Sequence, residues 1–173
     1  MEHRYKYPRR VISILAVNRY GVLARIASMF NRRSFNIDSI TTSETMDPGI
    51  ANITITVHVD EQKLKQLLLQ TRRLEDVREV YELATASVQR ELLLIKVRAD
   101  KDNLPSLRDI AGVYKAKIID LSPDSLVMEL TGKPEKVEGF LNMMRNYEVL
   151  EMCRTGITAL ERGTEHIFGD EEE

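Results

Sequence analysis

The order of hydrophobic periods constrains this chain most, because one order occurs twice. Val11–Val17 (VISILAV) is apolar at both parities, which suits a central strand covered on each side. Val22, Leu23, Ile26, Ala27, Met29 and Phe30 then recur at three- and four-residue spacings and predict a helix from Val22 to Arg33. Ile37–Met46 and a run in which Ile53, Ile55, Val57 and Val59 alternate with Asn52, Thr54, Thr56 and His58 flank Asp47-Pro48-Gly49. They predict a hairpin with one wet face. Leu64, Leu67, Leu68 and Leu74 mark a second helix from about Glu61, and Val77–Leu83 closes the unit as a strand, giving βαββαβ. After a polar bridge, Ala84–Gln89, the order restarts. Leu92–Val97 reads as a strand; Leu104, Leu107, Ile110, Ala111 and Tyr114 as a helix; Ile118–Leu121 and Leu126–Leu130 as a hairpin across Ser122-Pro123-Asp124-Ser125. Val137, Phe140, Leu141 and Met144 give the fourth helix and Tyr147–Met152 the last strand.

Both halves therefore read as split βαβ, ferredoxin-like units, an α+β fold with two helices on one face of each antiparallel sheet. The expected division is 9–84, 90–158 and a tail, 159–173. The open sheet face or an edge suits dimerisation. At 173 residues and 43% hydrophobic content the chain can bury such cores.

The chemistry of the residues excludes more than it supplies. Lys+Arg 25 against Asp+Glu 27 leaves a net charge of −2, with both signs interspersed, so no global field draws in nucleic acid or an acidic membrane. Arg4–Arg10 (RYKYPRR) reads as a solvated tail or a basic arm, and GDEEE as a frayed acidic tail. No apolar run is long enough to cross a membrane and no secretory signal is found; with a lone cysteine, Cys153, this suits the cytoplasm. Cys153 reads as a small core residue. His3, His58 and His166 lack companion ligands at metal spacing, and His58 fits an exposed strand position. Gly132-Lys133 lacks the remainder of a phosphate loop, with Val127 and Pro134 in the wrong places, and no nucleophile has a base at a known spacing. The central strands carry no aromatics for stacking RNA bases.

The turn Asn18-Arg19-Tyr20-Gly21-Val22-Leu23 can do something more. The first amides of a helix carry partial positive charge, and Gly21 leaves them open to a small carboxylate. The Asn18 carbonyl can accept from an ammonium group beside that carboxylate, so the turn fits an α-amino acid. It fits equally a ligand-free arrangement in which Asn18 caps the helix and Gly21 makes a tight turn.

The run VISILAVNRYGVLARIASMFNRRSFNIDSITTSETMDPGIANITITV closely resembles the ACT domain of the small, regulatory subunits of acetohydroxyacid (acetolactate) synthase. The family pattern N-x-x-G-x-L-x-R, then R-G-[YF]-N-I and [DE]-S-[LI]-T, is met by Asn18, Gly21, Leu23, Arg25, Arg33, Phe35, Asn36, Ile37, Asp38, Ser39, Ile40 and Thr41. Similarity continues through DVREVYEL and VQRELLLIKV to RTGITALERG. One departure is Ser34, where the family carries glycine. A positive φ there would strain serine, unless its hydroxyl bonds to nearby backbone.

The resemblance implies a chain without catalysis of its own, which pairs with itself through ACT domains and associates with a large catalytic subunit carrying thiamine diphosphate, FAD and magnesium. It implies activation of that subunit and feedback inhibition by valine bound between two protomers. By position, Asn18, Arg19, Tyr20, Gly21, Val22 and Leu23 of one protomer hold the carboxylate and ammonium. Asn36 and Ile37 reach in from the other, with Thr41 and Gln66 near the pocket. The alternative is a freestanding ACT-domain amino-acid sensor that controls another enzyme.

Overall fold

The structure, a computed structural model, describes residues 6–164. The expected arm in part, the acidic tail, His3 and His166 lie outside the described residues. Arg9–Val17 (β1) is a central strand, with Val11 to Ala16 all buried, as its two-sided hydrophobicity requires. Val22–Arg32 (α1) turns Val22, Ile26, Met29 and Phe30 onto the sheet. Ile37–Glu44 (β2) and Ile50–His58 (β3) form the hairpin, and Asp47 Oδ1 accepts from the Gly49 N–H at 2.8 Å in its turn. Glu61–Thr71 (α2) begins on Asp60, whose carboxylate accepts from the Lys63 N–H at 2.8 Å, and Val77–Glu82 (β4) ends the repeat. The strands pair antiparallel in the order β2-β3-β1-β4.

The second repeat comprises Val88–Arg98 (β5), Leu104–Tyr114 (α3), Lys117–Ser122 (β6), Ser125–Gly132 (β7), Pro134–Met144 (α4) and Val149–Arg154 (β8), in the order β6-β7-β5-β8. β5 starts at Val88, inside the expected bridge, and β8 lies later than Tyr147–Met152. Each unit has its own core. In the first, Ile12, Ile14, Ile53 and Ile55 meet Ile26, Phe30, Leu64 and Leu67. In the second, Leu93, Ile95, Met128 and Leu130 meet Leu107, Val137 and Phe140.

The structure differs from several of these expectations. Among the described residues, one compact unit comprises those up to Val88 together with those from Ile157 onward, and the other is Gln89–Gly156. Thr158–Leu160 (β9) is a strand rather than the start of a tail, and Ile157 and Ala159 are buried with Val11 and Leu83. Two apolar side chains supply a reason to return that the sequence around them, polar on both sides, obscures. The polar side of β3 is not wet either: Thr54 and Thr56 are buried. Register sets Thr54 opposite Ser13 and Thr56 opposite Val11, whose side is covered by Ile157 and Ala159, and Thr56 shares a 2.6 Å hydrogen bond with Ser39. Cys153 is exposed: it lies opposite Leu94 on β8, a strand at the end of the order β6-β7-β5-β8 whose residues Val149 to Cys153 are all exposed. His58 is half-buried, with Nδ1 2.7 Å from Asp38 Oδ2.

The first helix of each unit ends in the same way. Phe35 N–H donates to Phe30 O at 3.1 Å and Ser34 N–H to Asn31 O at 2.9 Å; Ala116 N–H donates to Ala111 O at 2.8 Å and Lys115 N–H to Gly112 O at 3.1 Å. These are Schellman turns, which need a left-handed residue, here Ser34 (φ 59°) and Lys115 (φ 54°). The Phe30 and Phe35 rings meet edge to face at 6.4 Å, the apolar contact that accompanies this turn. The Ser34 hydroxyl makes no hydrogen bond with the described residues, so nothing offsets its strain. Ser34→Gly is therefore expected to raise the unfolding free energy by about 1 kcal/mol. Urea titration checks it: the midpoint rises at unchanged slope.

Candidate functional site

β1 stops at Val17, and the chain reverses into α1 through Asn18, Arg19, Tyr20 and Gly21. Asn18 is anchored from three directions. Its N–H donates to Gly49 O at 2.7 Å, and its Nδ2 donates to Pro48 O at 2.9 Å and to Glu44 Oε1 at 3.3 Å. The side-chain oxygen Oδ1 is left without a donor among the described residues. Asn18 is thus not the helix cap: Gly21 is, with no side-chain bond and with φ 82°, a conformation a Cβ would strain. Val22 N–H reaches Arg19 O at 3.4 Å and Arg25 N–H reaches Gly21 O at 2.9 Å, while the Leu23 and Ala24 amides have no acceptor among the described residues. Tyr20 is fully exposed and Leu23 partly so, whereas the Val22 side chain is buried in the core. The turn thus carries two N–H groups and one side-chain carbonyl oxygen without partners among the described residues.

Asp76, at the entry to β4, fastens this turn from below. Its buried carboxylate accepts from Arg19 Nε and from Arg25 Nε, each at 2.7 Å, and its backbone oxygen accepts from Val17 N–H at 2.8 Å. Burial pushes its pKa up, but the hydrogen bonds and charges of Arg25 and Arg19 outweigh this and hold it below the ordinary carboxylate value. A depressed folded pKa means stability that is complete above the unfolded value and is lost as pH falls through the folded one. Asp76→Asn is expected to flatten the acid limb of the stability curve below about pH 4. Denaturant titrations across that range test this; an acid limb unchanged by the substitution would exclude Asp76 as its source. Sequence reading did not select Asp76, since a single acid before a strand has no periodic signal.

The other expected residues lie at the far end of α1. Asn36 and Ile37 follow the Schellman turn, and Asn36 lines a cavity of about 540 Å³ with Arg32, Arg33, Ser34 and Phe35, the end of β3 at His58 and Val59, Tyr7, and one side of α2 at Lys63, Gln66 and Gln70. Gln66 therefore joins Asn36. Thr41 does not: it sits on β2 opposite Thr54, on the sheet face turned from the helices, whereas its neighbour Ile40 packs on the core. Eleven helical residues, about 16 Å, separate the Asn18–Leu23 turn from Asn36. An α-amino acid is too short to touch both within one chain.

In the second unit, Arg154 Nη1 donates to Glu138 Oε1 at 2.6 Å and Nε to buried Glu91 Oε2 at 3.1 Å. Burial alone would lower the Arg154 pKa; the two carboxylates raise it. This cluster ties β5, β8 and α4 together. Among the described residues no group of His, Cys, Asp and Glu could hold a metal ion, and no helix is long and apolar enough to cross a membrane.

Comparison with known proteins adds the following. Residues 12–79 match a family model described as an AHAS small subunit-like ACT domain, and residues 90–163 one described as the small subunit of acetolactate synthase. The probable acetolactate synthase small subunit of Methanothermobacter thermautotrophicus is 41% identical over 156 residues, 89% of this chain and 93% of its own. That of Bacillus subtilis is 39% identical over 159 residues, covering 91% and 92%. The crystal structure of the acetolactate synthase small subunit from Thermotoga maritima superposes with a TM-score of 0.83 at 35% identity, covering 91% of this chain and 99% of that one.

Proposed function

Because the chain belongs to the family of acetolactate synthase small subunits, we propose that it regulates branched-chain amino acid synthesis by binding a large catalytic subunit, raising its activity and making it sensitive to valine. The observation that carries this reading is the split of the expected site between the two ends of α1. One amino acid reaches both ends only if two copies of the chain bring opposite ends together. The Leu23 and Ala24 amides of one copy then hold the carboxylate, Asn18 Oδ1 accepts from the ammonium, and Asn36, Ile37 and Gln66 of the second copy close over the ligand. Thr41, on the other sheet face, would act from outside the pocket.

A helix terminus contributes only about 0.3–2 kcal/mol toward an anion, so burial of the isopropyl group must add to it, and a pocket shared by two copies provides that burial. Inhibition further requires valine to bind one state of the complex better than another, commonly by about 1–3 kcal/mol. This chain's part is to bind and to couple. Thiamine diphosphate, FAD and magnesium would belong to the catalytic subunit, and the complex to the cytoplasm.

The test is direct. Mixed with a large subunit of the same family, the chain is expected to increase acetolactate formation, and added valine to suppress the increase. Failure to associate, with valine still raising the melting temperature, would instead favour a freestanding sensor.

A further inference from the structure

Residues that line the cavity at the far end of α1 carry two kinds of unmet group. Arg32 and Arg33 make no ion pair or hydrogen bond through their side chains among the described residues, and no carboxylate lines the space. Lys63, the third cation, is already placed, 3.8 Å from Asp60 and with its ammonium over the Tyr7 ring at 5.4 Å. Gln70 Oε1 is buried and receives no hydrogen bond. A buried acceptor without a donor costs about 1–3 kcal/mol, so the cavity favours a molecule that brings one. Gln70 lies one turn beyond Gln66 on the same side of α2, and Gln66 and Asn36 line the same space.

The turn at the other end of α1 has the complementary shortage. Its two arginines, Arg19 and Arg25, are directed onto Asp76, so toward a ligand carboxylate the turn offers backbone N–H groups. A cation dedicated to that carboxylate has to come from the opposite wall. A simple anion would answer the arginines and leave Gln70 unmet, and a simple amine would do the reverse. A zwitterion answers both.

We propose that Arg33 and Gln70 complete the amino-acid site from the second copy: the Arg33 guanidinium faces the effector's carboxylate, and Gln70 Oε1 accepts from its ammonium group. This rests on the effector reading above and adds the partner-side residue for each charged end. Arg33 is chosen over Arg32 because it adjoins the Ser34–Asn36 turn, while Arg32 lies in the last helical turn, where a cation offsets the helix dipole.

Calorimetric titration of the full chain with valine tests this on four variants, with dimer content checked by sedimentation. Arg33→Met is expected to weaken valine binding about tenfold or more and to reduce its salt dependence, and Arg33→Lys to recover part of the loss. Gln70→Met is expected to weaken binding about tenfold, because the acceptor is gone. Gln70→Glu, which keeps an acceptor and adds charge toward the ammonium, should bind better than Gln70→Met. A packing role for Gln70 gives the opposite order, since a buried carboxylate disturbs packing more than a thioether. Unchanged affinity in Arg33→Met or Gln70→Met, or Gln70→Glu weaker than Gln70→Met, overturns the inference while leaving the effector reading intact. A wild-type chain that binds no branched-chain amino acid removes both.

Discussion

Gly21→Asp is expected to abolish the response to valine while leaving association with the catalytic subunit in place. Three features of the turn combine in this variant. Gly21 has φ 82°, it directly precedes the helix turn that carries the bare amides of Leu23 and Ala24, and a Cβ there stands 3.3 Å from Arg25 Nη1. Aspartate tolerates left-handed backbone better than most residues, so the fold survives. Its carboxylate then takes the place proposed for the effector's own. Like charges forced together cost several kcal/mol, roughly a hundredfold or more in affinity. Gly21→Ala separates the causes, because it adds strain without charge and should weaken valine far less. Acetolactate assays with and without valine decide it: inhibition that persists unchanged in Gly21→Asp places the pocket elsewhere.

The second large effect concerns stability and reaches the same site from inside. Phe30 is fully buried, touches Phe35 edge to face, and its carbonyl accepts the Phe35 N–H that closes the Schellman turn. Truncation to alanine leaves a cavity among Ile14, Ile55 and Leu67 and is expected to cost about 3–5 kcal/mol, a large share of what holds a domain folded. Phe35 loses its partner, so Asn36 loses its placement, and valine binding should fall along with the melting temperature. Phe140→Ala, in the second unit, removes a comparable ring that meets Tyr114 at 5.4 Å. It should destabilise without altering valine affinity. Equal losses of valine binding in the two variants would contradict the assignment of the effector to the first unit.

The parts of this fold that were legible in the sequence are those governed by one period at a time. β1, with apolar side chains at both parities, and α1, with its stripe from Val22 to Phe30, follow directly from spacing. The hairpin turn follows from Asp47-Pro48-Gly49. What spacing misses are groups satisfied sideways. Thr54 and Thr56 alternate with isoleucines as exposed residues do, yet both are buried, and Thr56 pairs its hydroxyl across the strands with Ser39. Asp76 is one acid among many until the fold brings Arg19 and Arg25 to it. Asn18, Gly21 and Asn36 stand out in the sequence through the family pattern and Gln66 through its position alone, and what the sequence does not carry is the partners of Asn18 or the cavity that Asn36 and Gln66 line together. Gln70 has no sequence signal at all; its interest lies in a missing bond, and only coordinates show what is absent.

The strand at Thr158–Leu160 has a practical consequence for dissecting this protein. The first unit is discontinuous along the chain, with Gln89–Gly156 inserted between its two pieces. Stopping translation after residue 88 would therefore strip Ile157 and Ala159 from Val11 and Leu83, and any lost activation would be blamed on the missing half when the remaining half was itself wounded. A short polar splice from Ser87 to Ile157, which keeps those two side chains, is the cleaner surgery.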